Sequence, residues 1–159
     1  MTDPARPSTD LRAMNSQMAA RILADAAMPF SEDAVALRVA EAPGRRSGRP
    51  RQTPIGVVQL NGVRYLAAPT RQRDWAQNIL AAGAVSLLAG DTRETSRAAL
   101  APAAEAVPVL RLYLGRLGWT ASQFPFALTD SDAQIAGRLE QMAVIRLEPA
   151  GQSLLHPAS

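Results

Sequence analysis

The pattern of apolar and polar residues along the chain predicts six short β-strands, with helices before and between them. β-Prone runs predict strands at 34–40, 55–60, 63–68, 84–88, 92–100 and 142–147. Apolar residues at helical spacing from Leu11 to Leu23 predict a first helix that ends before Pro29. Further helices are predicted at 75–82 with Asp74 as its cap, from Pro102 onward, and up to about Gly137 behind a cap in 130–132. These elements together predict a small α+β barrel.

A tight turn is predicted between the second and third strands. Asn61 and Gly62 stand there, and both residue types accept the positive φ angles of a type I′ turn. The two strands are therefore expected to form an antiparallel hairpin.

The two ends of the chain differ from its middle. Residues 1–8 contain prolines and small polar residues and predict a flexible arm, and 151–159 predict a similar tail. The remainder, 9–150, has the length of one domain. No signal peptide and no long apolar run is visible, so we expect a cytoplasmic protein without a transmembrane segment. The first helix either packs on the core or, alternatively, touches a membrane surface or covers a substrate.

The composition excludes several kinds of catalysis. The chain has no cysteine, and all 17 of its basic residues are arginine, so thiolate, Schiff-base and lysine general-base mechanisms are excluded. The single histidine, His156, lies in the tail, so neither a histidine-based triad nor a multi-histidine metal site is expected. We therefore assign no catalytic side chain and no metal ligand from the sequence.

Four arginines lie close together between the first two predicted strands, in the segment 44–54. The formal net charge of the chain is +3, so without these four residues it would be −1. Guanidinium groups match phosphate or carboxylate oxygens two at a time, and Gly44 and Gly48 allow backbone N–H groups to approach an anion. Ser47 and Thr53 add hydroxyl donors. The segment predicts a site for a phosphate or a polycarboxylate, although an arginine-rich solvated hairpin has the same composition.

The same segment also has a second interpretation. Gly48-Arg49-Pro50, flanked by Arg46 and Arg51, looks like the core of an AT-hook, which inserts into a narrow A·T-rich minor groove. AT-hooks usually recur in disordered tails, whereas this one is single and lies between strands. The rest of the chain is net negative and would repel a DNA backbone, so no nucleic-acid partner is expected.

The run from Gly44 to Leu88 resembles the deazaflavin-dependent nitroreductase family. The family shares a glycine, a basic pair, Ser-Gly and a basic-x-x-Pro loop, followed by a hairpin and a helix with tryptophan and asparagine. The corresponding segments here are GRRSGRPRQTP, VVQLNGVRYLAAP and RDWAQNIL, and the closing AVIRLEP is similar to the last strand of the family.

The resemblance implies a six-stranded antiparallel split β-barrel with an N-terminal helix and inserted helices, which binds the 8-hydroxy-5-deazaflavin coenzyme F-420. It implies that four loop residues hold the phosphate and the oligoglutamyl tail of the coenzyme, namely Arg45, Arg46, Ser47 and Arg51. It further implies that Gln52, Thr53 and Pro54 line the path to the deazaflavin ring and that Ala68, Pro69 and Thr70 border the ring. Trp75 and Asn78 would form the wall of the pocket on the next helix.

The activity implied is hydride transfer from the reduced coenzyme to a quinone-like, nitroaromatic or enone acceptor, by a monomer or a homodimer. Related split barrels bind FMN or haem, so FMN is the second cofactor to consider. A barrel that only stores or protects a cofactor is the alternative within the same fold. The DNA-binding module remains the alternative from another class.

Overall fold

The computed structural model describes residues 9–150, except for the side chains of 9–11 and 119–121. Its strands are β1 (Ala34–Pro43), β2 (Pro50–Leu60), β3 (Val63–Ala68), β4 (Ala84–Ala89), β5 (Thr92–Leu100) and β6 (Ala143–Pro149). They close into a barrel in the order β1-β2-β3-β6-β5-β4, and every pairing is antiparallel. The predicted six-stranded α+β barrel is thus confirmed. The arm 1–8 and the tail 151–159 with His156 lie outside the described residues.

The helices are α1 (Thr9–Ala24), α2 (Asp74–Ala82), α3 (Ala103–Arg116) and α4 (Asp132–Ala136), with short 3-10 helices at Gly118–Gln123 and Leu139–Gln141. The predicted cap of the last α-helix is Ser131, which forms a reciprocal pair of hydrogen bonds with Gln134. Between residues 9 and 150, none of the helices has the length and apolar character needed to cross a membrane.

The predicted turn between β2 and β3 is confirmed. Asn61 has φ 54° and Gly62 has φ 76°, which is the conformation that a type I′ turn requires. The Glu32 carboxylate accepts hydrogen bonds from both of their backbone N–H groups, the one from Gly62 at 2.9 Å. These bonds, that from Gly62 above all, lower the pKa of Glu32.

The hairpin of β1 and β2 is longer than predicted. β2 begins at Pro50 rather than Ile55, and β1 continues to Pro43, which pairs with Pro50. The two prolines of β2 suggested a loop because proline cannot donate to a strand ladder. They are accommodated because β3 joins β2 only from Val58 onward, so the first part of β2 has β1 as its partner. The arginine loop therefore shrinks to 44–49.

The helix α2 packs against the interior of the barrel. Ala76 and Ile79 are buried in a cluster with inward-facing strand residues, and Trp75 packs against it. The prediction that Asp74 caps this helix is wrong. The helical hydrogen bonds begin one residue earlier, because the Gln77 N–H donates to the Arg73 carbonyl, so Asp74 is the first helical residue.

The helix α3 covers the outer face of β3 and β6. Tyr65, which is 3% exposed, donates a hydrogen bond to Glu105 Oε1 at 2.5 Å, and Arg146 Nη1 donates to the same oxygen at 2.5 Å. Burial, followed by the hydrogen bond and charge of Glu105, raises the pKa of Tyr65 to about 12. The phenol thus ties α3 to the barrel in its neutral form.

The helix α1 lies against β1, β2 and β4 through a small contact. Ile22 is buried with Val39 and Ala89, and the Gly90 N–H donates to the Ile22 carbonyl at 3.1 Å. The backbone at Gly90 has φ 51°, and a Cβ atom there would lie 2.5 Å from the Asp25 carbonyl oxygen. The close approach of two backbones therefore requires a residue without a side chain at this position.

We expect Gly90→Ala to lower the free energy of unfolding by about 2 kcal/mol, because the methyl group meets a backbone oxygen in a strained conformation. Chemical denaturation measures the change. Gly115→Ala is the matched control, because a Cβ at that exposed helical position meets nothing within 4 Å. That control should stabilise the protein by about 0.5 kcal/mol or more. Equal effects of the two substitutions would contradict the proposed contact at Gly90.

The raised pKa of Tyr65 makes the stability depend on alkaline pH. A group whose pKa is higher in the folded state stabilises the fold below its unfolded pKa and loses that contribution as the pH rises. Between pH 10 and 12 the wild type should therefore lose about 2 kcal/mol relative to Tyr65→Phe. Parallel stability curves of the two proteins over this range, measured by urea denaturation, would argue against a buried neutral phenol.

Candidate functional site

The turn 44–49, the beginning of β2 and the first turns of α2 enclose a pocket of about 390 Å³. Most of the site residues predicted from the sequence line this pocket. Its walls are formed by Gly44, Arg45, Arg46, Ser47, Arg51, Gln52, Thr53, Asp74, Trp75 and Asn78. Residues from 44–53 and from α2 thus meet in space although about twenty residues of chain separate them.

The turn 44–49 is closed by its own backbone. The Gly44 N–H donates to the Arg49 carbonyl and the Gly48 N–H donates to the Gly44 carbonyl, each at 2.8 Å. Gly48 has φ 72°, which favours glycine, and Ser47 Oγ accepts a hydrogen bond from the Arg49 N–H at 3.2 Å. An AT-hook inserts an extended Arg-Gly-Arg-Pro segment into DNA, whereas residues 46–49 here form part of a closed turn.

Arg45 is fastened to α2. Its backbone N–H and its Nη1 atom both donate to Asn78 Oδ1, at 3.1 and 2.8 Å, and its Nη2 atom lies 3.2 Å from Asp74 Oδ1. The Arg45 side chain is 25% exposed, whereas that of Asp74 is 85% exposed. The first basic residue of the turn is thus already paired within the protein.

The guanidinium groups of the other arginines of the segment have no partner among the described residues. These arginines, Arg46, Arg49 and Arg51, are exposed. Elsewhere in the described chain most arginine side chains bind a carboxylate or a carbonyl, and Arg12 and Arg21 of α1 are the exceptions. Unpaired positive charge is therefore concentrated beside the pocket, where like charges repel until an anion arrives.

Gln52 is held from outside the pocket. Its Nε2 atom donates to Glu41 Oε2 at 2.8 Å, and Arg93 Nη2 donates to Glu41 Oε1 at 2.6 Å. The hydrogen bonds from Gln52 and then from Arg93 lower the pKa of Glu41. Gln52 and Pro54 also border a second pocket of about 360 Å³ beneath α1, which is lined by Asn15, Ser16, Ala19, Ala20 and Leu23 as well.

Three predicted site residues, Ala68, Pro69 and Thr70, line neither the pocket beside the arginine turn nor the pocket beneath α1. Ala68 is 0% exposed and belongs to the interior cluster of the barrel. Pro69 and Thr70 form the turn that leads to α2, where the Gln72 N–H donates to Thr70 Oγ1 at 3.2 Å. Their role at a ring therefore stays a prediction from the resemblance.

Sequence reasoning treated Asp74 only as a helix cap. It lies four residues before Asn78, a spacing that places two side chains on one face of a helix. Together they form the surface that Arg45 binds. The helical spacing was the signal that could have identified Asp74 as part of the site.

Comparisons with known proteins give structural neighbours only. No family model matches the chain, and no curated protein matches it. A solved structure of an F-420-H2-dependent reductase is 16% identical, with 76% of this chain and 99% of that chain covered and a TM-score of 0.48. A solved structure of an F-420 reductase is also 16% identical, with 91% of this chain and 96% of that chain covered and a TM-score of 0.42. A NimC/NimA family protein from Clostridium acetobutylicum is 14% identical, with 70% and 72% covered and a TM-score of 0.48.

The arrangement of donors in the pocket is suited to binding an anion. The guanidinium groups of Arg46 and Arg51 and the hydroxyl group of Ser47 line the same space, beside the N-terminal turn of α2. That turn has no side-chain cap, and the positive end of its helix dipole also faces the Asp74 carboxylate in the same turn.

We expect a small polyanion such as pyrophosphate to raise the melting temperature. A ligand at about ten times its Kd stabilises a folded protein by about 1.4 kcal/mol, which corresponds to a shift of about 3–6 °C for a chain of this size. Differential scanning fluorimetry measures the shift, which sodium chloride should reduce. The double variant with Arg46→Ala and Arg51→Ala should lose it, whereas Arg21→Ala, which removes a free arginine from α1, should keep it. An undiminished shift in the double variant would place the anion elsewhere.

Proposed function

We propose that the pocket binds the phosphate and oligoglutamyl tail of coenzyme F-420, and that the protein is an oxidoreductase that uses the reduced coenzyme. The observation that supports the proposal is the cluster of free guanidinium groups at Arg46, Arg49 and Arg51, beside a pocket of about 390 Å³. An exposed cluster of like charges with no partner in the described chain is explained by a ligand that carries several negative charges.

The donors of the pocket fit such a tail in kind and in number. Arginine forks bind phosphate and carboxylate groups through paired hydrogen bonds. The Ser47 hydroxyl group accepts from Arg49, and its own hydrogen is left for a ligand oxygen. The one carboxylate in the wall, Asp74, lies 3.2 Å from Arg45 Nη2, and this ion pair offsets part of its repulsion of an anion.

The number of free arginines favours a longer polyanion over FMN. FMN has a single phosphate group, which one or two arginines satisfy. A phosphate followed by a chain of carboxylates has anionic groups for Arg46, Arg51 and the more distant Arg49. FMN remains the second candidate, because the same donors also fit its phosphate.

The residues beyond the anion end would hold the rest of the coenzyme. Gln52, Thr53 and Trp75 complete the wall beside the arginines, and Trp75 packs against the interior cluster of the barrel. Trp75 would shield this side from water, and Gln52 would present an amide whose position Glu41 sets. When bound, the reduced coenzyme supplies a hydride, and the chemistry therefore requires no nucleophile from the protein.

The acceptor that fits this chemistry is electrophilic, as a quinone-like, nitroaromatic or enone compound is. The protein's contribution would be to orient it and to exclude water, with solvent as the proton source. A protein that stores or protects the coenzyme would bind it in the same pocket. It would differ from the oxidoreductase only in not catalysing hydride transfer.

Fluorescence titration with the deazaflavin coenzyme tests the proposal directly. We expect micromolar binding by the wild type and about a tenfold weaker Kd for each of Arg46→Ala and Arg51→Ala, because each removes a charge-assisted hydrogen bond. Arg21→Ala, the matched control on α1, should bind like the wild type. Parallel titrations with FMN and with an A·T-rich duplex measure the alternatives.

Tight binding of FMN or of the duplex, without binding of the deazaflavin coenzyme, would sink the proposal. Turnover requires a separate assay, in which oxidation of the reduced coenzyme is followed spectroscopically with quinone, nitroaromatic and enone acceptors. Binding with no oxidation of the coenzyme by any of these acceptors would favour the storage role.

A further inference from the structure

We infer that Arg45, although it lines the pocket, is a positioning residue that acts through Asn78. The inference concerns the pocket of the proposed function and rests on it for the identity of the ligand. It changes the prediction from the sequence, in which Arg45 binds the tail of the coenzyme together with Arg46 and Arg51.

The hydrogen bonds of Arg45 are the first observation. Three of its donors, the backbone N–H, Nη1 and Nη2, are directed to α2, at 2.8–3.2 Å. Arg46 and Arg51, by contrast, have no side-chain partner among the described residues. Two N–H groups of the Arg45 guanidinium are therefore bound to α2, and these bonds tie the turn 44–49 to the helix.

The amide of Asn78 is the second observation. Asn78 is 6% exposed, and its Oδ1 atom accepts both the N–H and the Nη1 of Arg45. Arginine and the backbone N–H can only donate, so the oxygen of the amide must face Arg45 and the NH2 group must face away. The hydrogen bonds from Arg45 thus determine which end of the Asn78 amide is Oδ1 and which is Nδ2, although the two atoms are similar in size.

The Nδ2 group of Asn78 is consequently left for the pocket. No residue of the described chain accepts a hydrogen bond from it. Among the described residues, the only side-chain nitrogen or oxygen that is both fully buried and without a hydrogen-bond partner is Arg146 Nε. The unpartnered Asn78 NH2 group is therefore accessible to solvent and is not enclosed in the core. Asn78 lines the pocket, and its NH2 group is a neutral donor for a ligand oxygen beside the cationic donors of Arg46 and Arg51.

Arg45 thus has two effects with one side chain. It holds the turn that carries the free arginines at a set position over α2, and it aims the NH2 group of Asn78 into the pocket. Preorganisation of this kind improves binding because fewer groups have to be ordered when the ligand arrives.

Limited trypsin digestion of the ligand-free protein tests the first effect. Trypsin cleaves after arginine, and the bonds after Arg46 and Arg51 lie in the turn and in β2. Arg45→Ala should speed cleavage after Arg51 by about tenfold, because loss of two or three hydrogen bonds lets the hairpin open more often. Arg46→Ala, the matched control, should leave that cleavage rate unchanged. Asn78→Asp retains an acceptor for Arg45 and should also leave it unchanged.

Titration with the deazaflavin coenzyme tests the second effect. Asn78→Asp should weaken binding by about tenfold or more, although the hairpin stays protected, because a carboxylate replaces the NH2 donor. Arg45→Lys should lie between wild type and Arg45→Ala in both assays, since a single ammonium group cannot bridge Asn78 and Asp74. Far-UV circular dichroism and the melting temperature show whether each variant is folded.

The inference is overturned if Arg45→Ala weakens coenzyme binding as strongly as Arg46→Ala while cleavage after Arg51 stays at the wild-type rate. That result would make Arg45 a direct ligand contact. If the wild type does not bind the coenzyme, the proposed function fails, and the digestion series still decides whether Arg45 fastens the hairpin.

Discussion

The structure of the site depends on the length of the β1–β2 ladder. The pairing runs from Ala34 with Gln59 to Pro43 with Pro50, whereas β4 pairs with β1 only from Val39 to Glu41 and β3 joins β2 only from Val58. The last residues of β1 and the first of β2 are thus held by each other alone. A two-stranded ribbon is marginally stable in water, so this extension needs support from another element. The contact of Arg45 with α2 supplies it on one side, and the contact of Glu41 with Arg93 of β5 supplies it on the other.

The same arrangement separates two tasks among arginines that look alike in the sequence. Arg45 is the first of an adjacent pair, and nothing in its local sequence distinguishes it from Arg46. The difference arises from a partner 33 residues away, in α2. A buried amide with a fixed orientation holds one guanidinium group, and the turn then directs its neighbour outward. A paired and an unpaired arginine are thereby placed side by side without competing for the same partner.

Much of the fold follows from local patterns. The Asn61-Gly62 turn, the bounds of β3 and the capped helix at Ser131 were predicted because each rests on residues adjacent in the chain. The start of β2 was not predicted, because proline is normally excluded from a strand that has neighbours on both sides. Pro50 and Pro54 fit because β3 pairs with β2 only from Val58 onward. The residues of the candidate site could be predicted as a group from the arginine segment and the tryptophan helix. The partner of Arg45 could not, because it depends on how α2 lies across the barrel.

The free charges are informative because of what surrounds them. The chain has only arginine as its basic residue, and most of the arginines in the described part neutralise a carboxylate or bind a carbonyl group. A surface that pairs its charges so consistently would gain nothing from leaving several unpaired on one closed turn, where they repel one another. Anionic groups in the space between them would relieve the repulsion that solvent and salt leave unscreened. The unpaired arginines are therefore the strongest physical argument that this turn has evolved for a ligand, and the number of them is the argument that the ligand has several negative charges.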